Sequence, residues 1–241
     1  MNVIKKVLVL VWVFGVFCLF TSGANAMDVL YAPFEGFDHT ASGKTTVYVY
    51  DGGYLQPLCC DIQNGIITTA GKVGKALSFN GNRYITVPNK SSLNFGKDDF
   101  AITFWVKTKA TKTNNTIIDK RESFLLPGYH VTLYNGRPLL HMCDASGWSN
   151  YFGGPPINDG KWHYVAIYVE RNNPTGGKIY VDGQCAHTFN PIGRNGSLNN
   201  SVPLLIGKHA DSSPKNFEGT LDELWIFRGS RVEKAPLLKR R

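Results

Sequence analysis

Apolar and polar side chains alternate with a period of two along most of this chain. Phe100, Ile102, Phe104 and Val106 share one parity, and Ala101, Thr103, Trp105 and Lys107 the other, as a strand with one face against a core requires. Similar short runs recur at Ala76–Phe79, Tyr84–Val87, Thr116–Lys120, Tyr129–Tyr134, Arg137–Met142, Lys161–Glu170, Lys178–Val181, Val202–Ile206 and Gly219–Phe227. Turn residues separate nearly all of them. Asn135-Gly136 and Asp182-Gly183 supply the positive φ angles of two-residue hairpin turns, so Lys178–Val181 is predicted to return through Gln184–Phe189. No segment holds a helical period and no repeat of fixed length stands out. The pattern predicts an all-β fold, with two antiparallel sheets packed as a β-sandwich.

The N-terminal part is less regular. Met27–Gly36 reads as a short strand with Val29, Tyr31 and Phe34 as core contributors, and Phe37–Lys75 mixes a strand-like Thr45–Gly53 with a loop around Cys59-Cys60. Residues 1–26 read as a signal peptide: Lys5-Lys6, an apolar run from Val7 to Phe20, and Ala24-Asn25-Ala26 as the cleavage site. That run is shorter than the roughly 20 residues a spanning helix needs, so no stable membrane span is expected after cleavage. The expectation is an exported chain, in periplasm, cell surface or medium, with 27–241 as one domain. Formal net charge is +8, and removal of Lys5 and Lys6 lowers it to +6. The excess is scattered apart from Lys239-Arg240-Arg241, with no basic stripe carrying interleaved aromatics, which argues against a nucleic-acid partner. Four cysteines remain, and export favours disulfides. A bond within the vicinal pair would be strained, so one of Cys59 and Cys60 is predicted to join Cys143 or Cys185.

Four segments also occur in the order of a known family. They are GKALSFNGNRYITVP (Gly74 to Pro88), DDFAITFWVKT (Asp98 to Thr108), DGKWHYVAIYVERNNPTGGKIYVDG (Asp159 to Gly183) and GTLDELWIFRG (Gly219 to Gly229). Together they resemble a laminin-G-like, concanavalin-A-like lectin/glucanase jelly-roll domain. The resemblance implies a non-enzymatic binding module for a carbohydrate or for a cell-surface or matrix ligand. A structural or adhesive assembly subunit is the alternative, and a polysaccharide-active enzyme a third reading. It also implies a structural calcium near the sandwich rim, with Glu35 in FEG, Asn80 in FNG and Asp222 in LDEL as the matching residues. Glu35 stands where aspartate is commoner, and 37–75 is longer than the family's usual polar loop.

Glycosidases need two carboxylates flanking the scissile bond. The strand pattern Glu-x-Asp-x-x-Glu that would supply them on one face is absent, and the adjacent Asp222 and Glu223 would point to opposite faces of a strand. His130, His141, His163, His187 and His209 show no evident partner set, and His163 reads as a hydrogen-bonded structural residue. No Gly-x-Ser-x-Gly elbow occurs. For glycan binding, Asp144 to Tyr151 reads as a polar loop that exposes Trp148 as a stacking platform, with Asp144, Asn150 and Tyr151 as its partners. Trp105, Trp162 and Trp225 sit in strand patterns and are assigned to the core. Arg121-Glu122 and Asn195–Ser201 are further rim positions without a specific signal.

Overall fold

The computed structural model describes residues 27–32, 34, 44–51, 54–63, 67–211 and 215–229. Residues 1–26, read from the sequence as a signal peptide, and Glu35 lie outside the described residues. Sixteen strands follow in chain order: β1 (Met27–Ala32), β2 (Lys44–Asp51), β3 (Tyr54–Gln63), β4 (Ile67–Ala70), β5 (Lys75–Asn80), β6 (Tyr84–Val87), β7 (Phe100–Lys107), β8 (Asn114–Lys120), β9 (Gly128–Tyr134), β10 (Arg137–Asp144), β11 (Gly147–Phe152), β12 (His163–Val169), β13 (Gly177–Val181), β14 (Gln184–Phe189), β15 (Leu204–Ile206) and β16 (Glu218–Arg228). Among the described residues no helix is long and apolar enough to cross a membrane.

Strand pairing runs along one path, β11-β10-β9-β8-β15-β6-β3-β2-β1-β16-β7-β12-β13-β14, with β5 beside β16 and β4 beside β5. All these ladders are antiparallel, and the path doubles over into two packed sheets, the expected sandwich. Phe100, Ile102, Phe104 and Val106 of β7 face the core with Val165, Ile167 and Val169 of β12. From the opposite arm come Ile118 of β8, Tyr129 and Val131 of β9, and Leu140 and Met142 of β10. Phe95 joins the arms: its ring stacks 4.5 Å from Phe100 and 4.4 Å from Tyr129. Burying side chains of this size stabilises the fold by about 1.5–3 kcal/mol each. The Tyr129 hydroxyl donates to the Leu93 carbonyl at 3.1 Å, and burial raises its pKa.

The two ends of the path also meet. Tyr151 of β11 stacks on Phe189 of β14 at 4.1 Å, closing one side of the sandwich. Gly177 makes room for that ring, since a Cβ there would lie 2.2 Å from Phe189 Cε2. The expected hairpin turns are present, with φ of 48° and 77° at Asn135 and Gly136 and of 51° and 82° at Asp182 and Gly183.

Several expectations are corrected. The segment around Trp148 is not a loop: it forms β11, paired with β10 from Asp144↔Gly147 to Leu139↔Phe152. An edge strand needs little apolar content, which is why Gly147, Ser149 and Asn150 masked it. The Cys59-Cys60 loop is likewise part of β3, paired with β2 from Lys44↔Asp61 to Asp51↔Tyr54. Leu30, Ala32 and Phe34 occupy the core at the N-terminus, while the side chains of Val29 and Tyr31 are outside the described set. Trp105, Trp162 and Trp225 are half-buried, not core. Trp105 lies against Tyr164 at 5.2 Å under the Lys72 ammonium, and Trp225 stacks on Phe227 at 5.6 Å.

The predicted disulfide is not formed, because Cys143 and Cys185 are free thiols. Cys143 is buried on β10, five strands along the path from β3, or about 24 Å at the usual strand spacing. Cys185 is exposed on β14, at the far end of the other arm, beside the Thr188 hydroxyl.

Gly177→Ala is expected to lower stability by about 1–3 kcal/mol, because Phe189 must leave its place on Tyr151. Gly193→Ala, where an added Cβ meets nothing within 4 Å, is the control and should stay within about 0.5 kcal/mol of the parent. Urea unfolding midpoints of the two variants test this.

Candidate functional site

The inward parity of β8, β9 and β10 leaves the alternate residues facing out of the sandwich. Because Tyr129, Val131, Leu140 and Met142 fill the core, His130 and His141 take the outer face. Register then aligns a polar row across four strands: Asp119 opposite His130, His130 opposite His141, and His141 opposite Asn150. At the usual strand spacing the row is about 14 Å long. Asp119, His130 and His141 are nonetheless buried. Two connections reach over them, 121–127 between β8 and β9 and the stretch that carries His209 ahead of β16.

Arg121 organises the Asp119 end. Its Nε donates to Asp119 Oδ1 and its Nη2 to Oδ2, both at 2.8 Å, and Nη2 also approaches His209 Nε2 at 3.4 Å. The Ala210 N–H donates to the same Oδ2 at 3.0 Å. His209 meets His130 edge to face at 5.1 Å, and His130 Nε2 lies 3.2 Å from the Thr116 hydroxyl. Burial, reinforced by the Arg121 charge, holds the His130 pKa well below the usual imidazole range, and burial also lowers that of His209. His141 is pushed down to about 4 by burial, although its contacts with Asn150 Oδ1 at 2.8 Å and the Phe124 carbonyl at 3.2 Å oppose the shift. The imidazoles on this face are therefore neutral at neutral pH.

Asp119, His130 and His209 present ligand atoms within 4.8 Å of one another, the residue types of a two-histidine, one-carboxylate metal centre. A metal does not fit the arrangement. Both Asp119 oxygens are committed to Arg121 and Ala210, and an ion would sit against the guanidinium. A second internal cation behaves similarly: the Lys120 ammonium bonds Asn94 Oδ1 and Asn200 Oδ1 at 3.1 and 2.6 Å, and burial lowers its pKa to about 8.

The other end of the row is aromatic. Trp148, which opposes Cys143 on β10, is 46% exposed, and Phe124 packs 4.8 Å from it and 4.6 Å from His141. Phe124 belongs to the β8–β9 tip, which folds back over its own sheet, so that the Arg121 guanidinium lies 5.9 Å from its ring. Leu125 and Leu126, next along the tip, are 67% and 42% exposed.

Of the ligand residues read from the sequence, Trp148 and Asn150 are on this face and the other two are not. Tyr151 points inward onto Phe189. Asp144 is buried and structural, accepting from Ser146 N, Gly196 N and Arg194 Nη1. Of the metal-ligand residues, Glu35 lies outside the described residues, and Asn80 and Asp222 are not brought together. Asn80 opposes Glu218, four residues from Asp222 on β16, which separates the two by about 13 Å along the strand. Asn80 Oδ1 instead caps a turn through Asn82 N and Arg83 N. Asp222 accepts from Lys72 N, Val73 N and Glu223 N, so it pins the β4–β5 turn. Burial raises its pKa to about 7.

His163 is hydrogen-bonded as expected, to Asp182 at 2.7 Å and Asp159 at 3.0 Å. The reading that the histidines lack partners is overturned for His130, His141 and His209. The signal that could have found one pair was in hand: a two-residue turn at Asn135-Gly136 sets His130 and His141, each five residues from the turn, directly opposite.

Removing Asp119 leaves a buried guanidinium without its counter-charge. Asp119→Ala is expected to cost about 3–5 kcal/mol in urea unfolding. Asp222 gives a pH signature instead. Its folded pKa lies above the unfolded value, so its contribution is fullest below pH 3.8 and declines as pH rises through about 7. Wild type should thus lose stability relative to Asp222→Asn from pH 4 to pH 8, as paired melting curves would show.

Residues 79–234 match the family described as the concanavalin A-like lectin/glucanases superfamily. A curated relative is the mouse (Mus musculus) "Sushi, von Willebrand factor type A, EGF and pentraxin domain-containing protein 1", 27% identical over 124 residues, which are 47% of this chain and 3% of that protein. Among solved structures, the binding domain of Paraclostridial Mosquitocidal Protein 1 superposes with a TM-score of 0.66 at 18% identity, covering 87% of this chain and 51% of that one. Domain 4 of AbnA, a GH43 extracellular arabinanase from Geobacillus stearothermophilus in complex with arabinotriose, gives 0.59 at 19% identity, with 86% and 94% covered. Those identities carry the fold alone, whereas the sequence match spans more than half of the chain: it belongs to the concanavalin A-like lectin/glucanases superfamily.

Proposed function

We propose that this chain is an exported, non-enzymatic binding module that takes an oligosaccharide across the outer face of β8–β11. The observation that carries the reading is the cross-strand row ending beside a half-exposed tryptophan. Sugar rings combine apolar C–H faces with hydroxyls, and so match an aromatic plane beside fixed polar groups. Trp148 supplies the plane from a paired strand, which holds it more firmly than a loop would. The arabinotriose complex of the AbnA domain supports a sugar as ligand for this fold. Binding without cleavage is favoured by the chemistry of the row: among the described residues it carries one carboxylate, Asp119, and Arg121 and Ala210 hold both its oxygens.

A protein ligand is the second reading. Phe124, Leu125, Leu126, Trp148 and Phe152 are exposed large apolar residues on the β8–β9 tip and β11, a grouping found at protein interfaces.

Trp148→Ala is expected to weaken glycan binding at least tenfold on an array of neutral and acidic oligosaccharides, while the melting temperature moves by a few degrees at most. Loss of fold, or retained glycan binding, would remove Trp148 as the platform. A blank array with folded wild type would turn the assignment toward the protein ligand.

A further inference from the structure

We infer that the saccharide taken by this face carries a carboxylate and that Arg121 receives it; the inference rests on the glycan reading above. Arg121 is 2% exposed. Two of its nitrogens are engaged by Asp119 and His209, but Nη1, at the other end of the guanidinium, is buried and has no hydrogen-bond partner. Folded proteins pair nearly all such donors, and a charged one most of all. An unpaired guanidinium N–H beside a binding face marks where an anionic oxygen would sit.

The surroundings favour an anion over a neutral hydroxyl. Arg121 and Lys215 are the cations that bear on the row at His130, whose own imidazole is neutral. Asp119 is saturated by donors and has little to offer a sugar hydroxyl that must also give away its hydrogen. A carboxylate needs donors only, and its bond to a guanidinium is about twice as strong as a neutral one.

Access lies under the β8–β9 tip. Phe124 is the part of the tip that packs on Arg121, His141 and Trp148. Its backbone is held to the sheet by His141 through the Phe124 carbonyl, and the tip closes on itself through Leu126 N to Ser123 O at 3.3 Å. Asn200 secures the base through the Pro127 carbonyl. With Leu125 and Leu126 facing solvent, Phe124 supplies the tip's apolar packing on this face, and access to Arg121 requires the tip to lift as a flap. When it lifts, a sugar ring replaces Phe124 against Trp148, and the ring's carboxylate reaches Nη1.

Calorimetric titration of the full chain with trigalacturonic acid and with its methyl ester tests this. The acid should bind at least tenfold more tightly than the ester, and Phe124→Ala, which removes the cover from an exposed position, should tighten the acid at least threefold. The double variant Asp119→Asn/Arg121→Gln replaces the ion pair by neutral groups of similar shape. Once circular dichroism shows it folded, it should bind acid and ester alike. Equal affinity of wild type for acid and ester, acid preference surviving in the folded double variant, or weaker acid binding by Phe124→Ala would overturn the inference while leaving the glycan reading in place. No binding of either probe, together with a blank glycan array, would remove both.

Discussion

The fork between Arg121 and Asp119 sets what the outer face can be. A charge pair taken out of water is stable only when its geometry is good and its remaining oxygens find donors, and here Ala210 supplies the extra donor. Keeping the pair dry requires the connections before β9 and before β16 to lie across the sheet. Those same connections bury His130, His141 and His209, which accounts for their neutrality. One ion pair thus fixes the cover, the protonation state of the row and the orientation of the guanidinium.

Strand alternation separates this face from the core. Residues of one parity on β9 and β10 hold the sandwich together, and residues of the other parity are free to differ without unpacking it. The superposed structures share the architecture at 18–19% identity. What the face recognises is then set by this chain's own outward residues, since a fold of this kind hosts many functions.

Much of the architecture was legible in the sequence because it is written in short-range signals. The inward parity read for Phe100–Lys107 is the one that enters the core, and the Asn-Gly and Asp-Gly turns fold as read. β11 was hidden because an edge strand with one weakly buried face has no apolar run to announce it. Trp148 was therefore chosen from a supposed loop and proves to be exposed from a strand. The side chains expected to act with it obey the pleat instead: Tyr151 turns inward, and Asp144 is consumed by the backbone and Arg194. Asn80 and Asp222 match family positions in type, yet the β5–β16 register holds them apart. The histidine set was missed for a different reason. Its members are brought together by pairing across β8, β9 and β10 and by a connection some eighty residues later, a distance over which composition carries no signal.

β16 pairs with β1, β5 and β7 at once. Among the described residues it is the last strand in chain order, so three earlier strands wait for it. Contacts this distant in sequence close slowly, since the loop entropy must be met before the pairing is gained. As the chain is synthesised, the sheet around β7 stays incomplete until residues near 228 emerge. Until then the chain is an open, unfinished sheet whose strand edges are not yet paired.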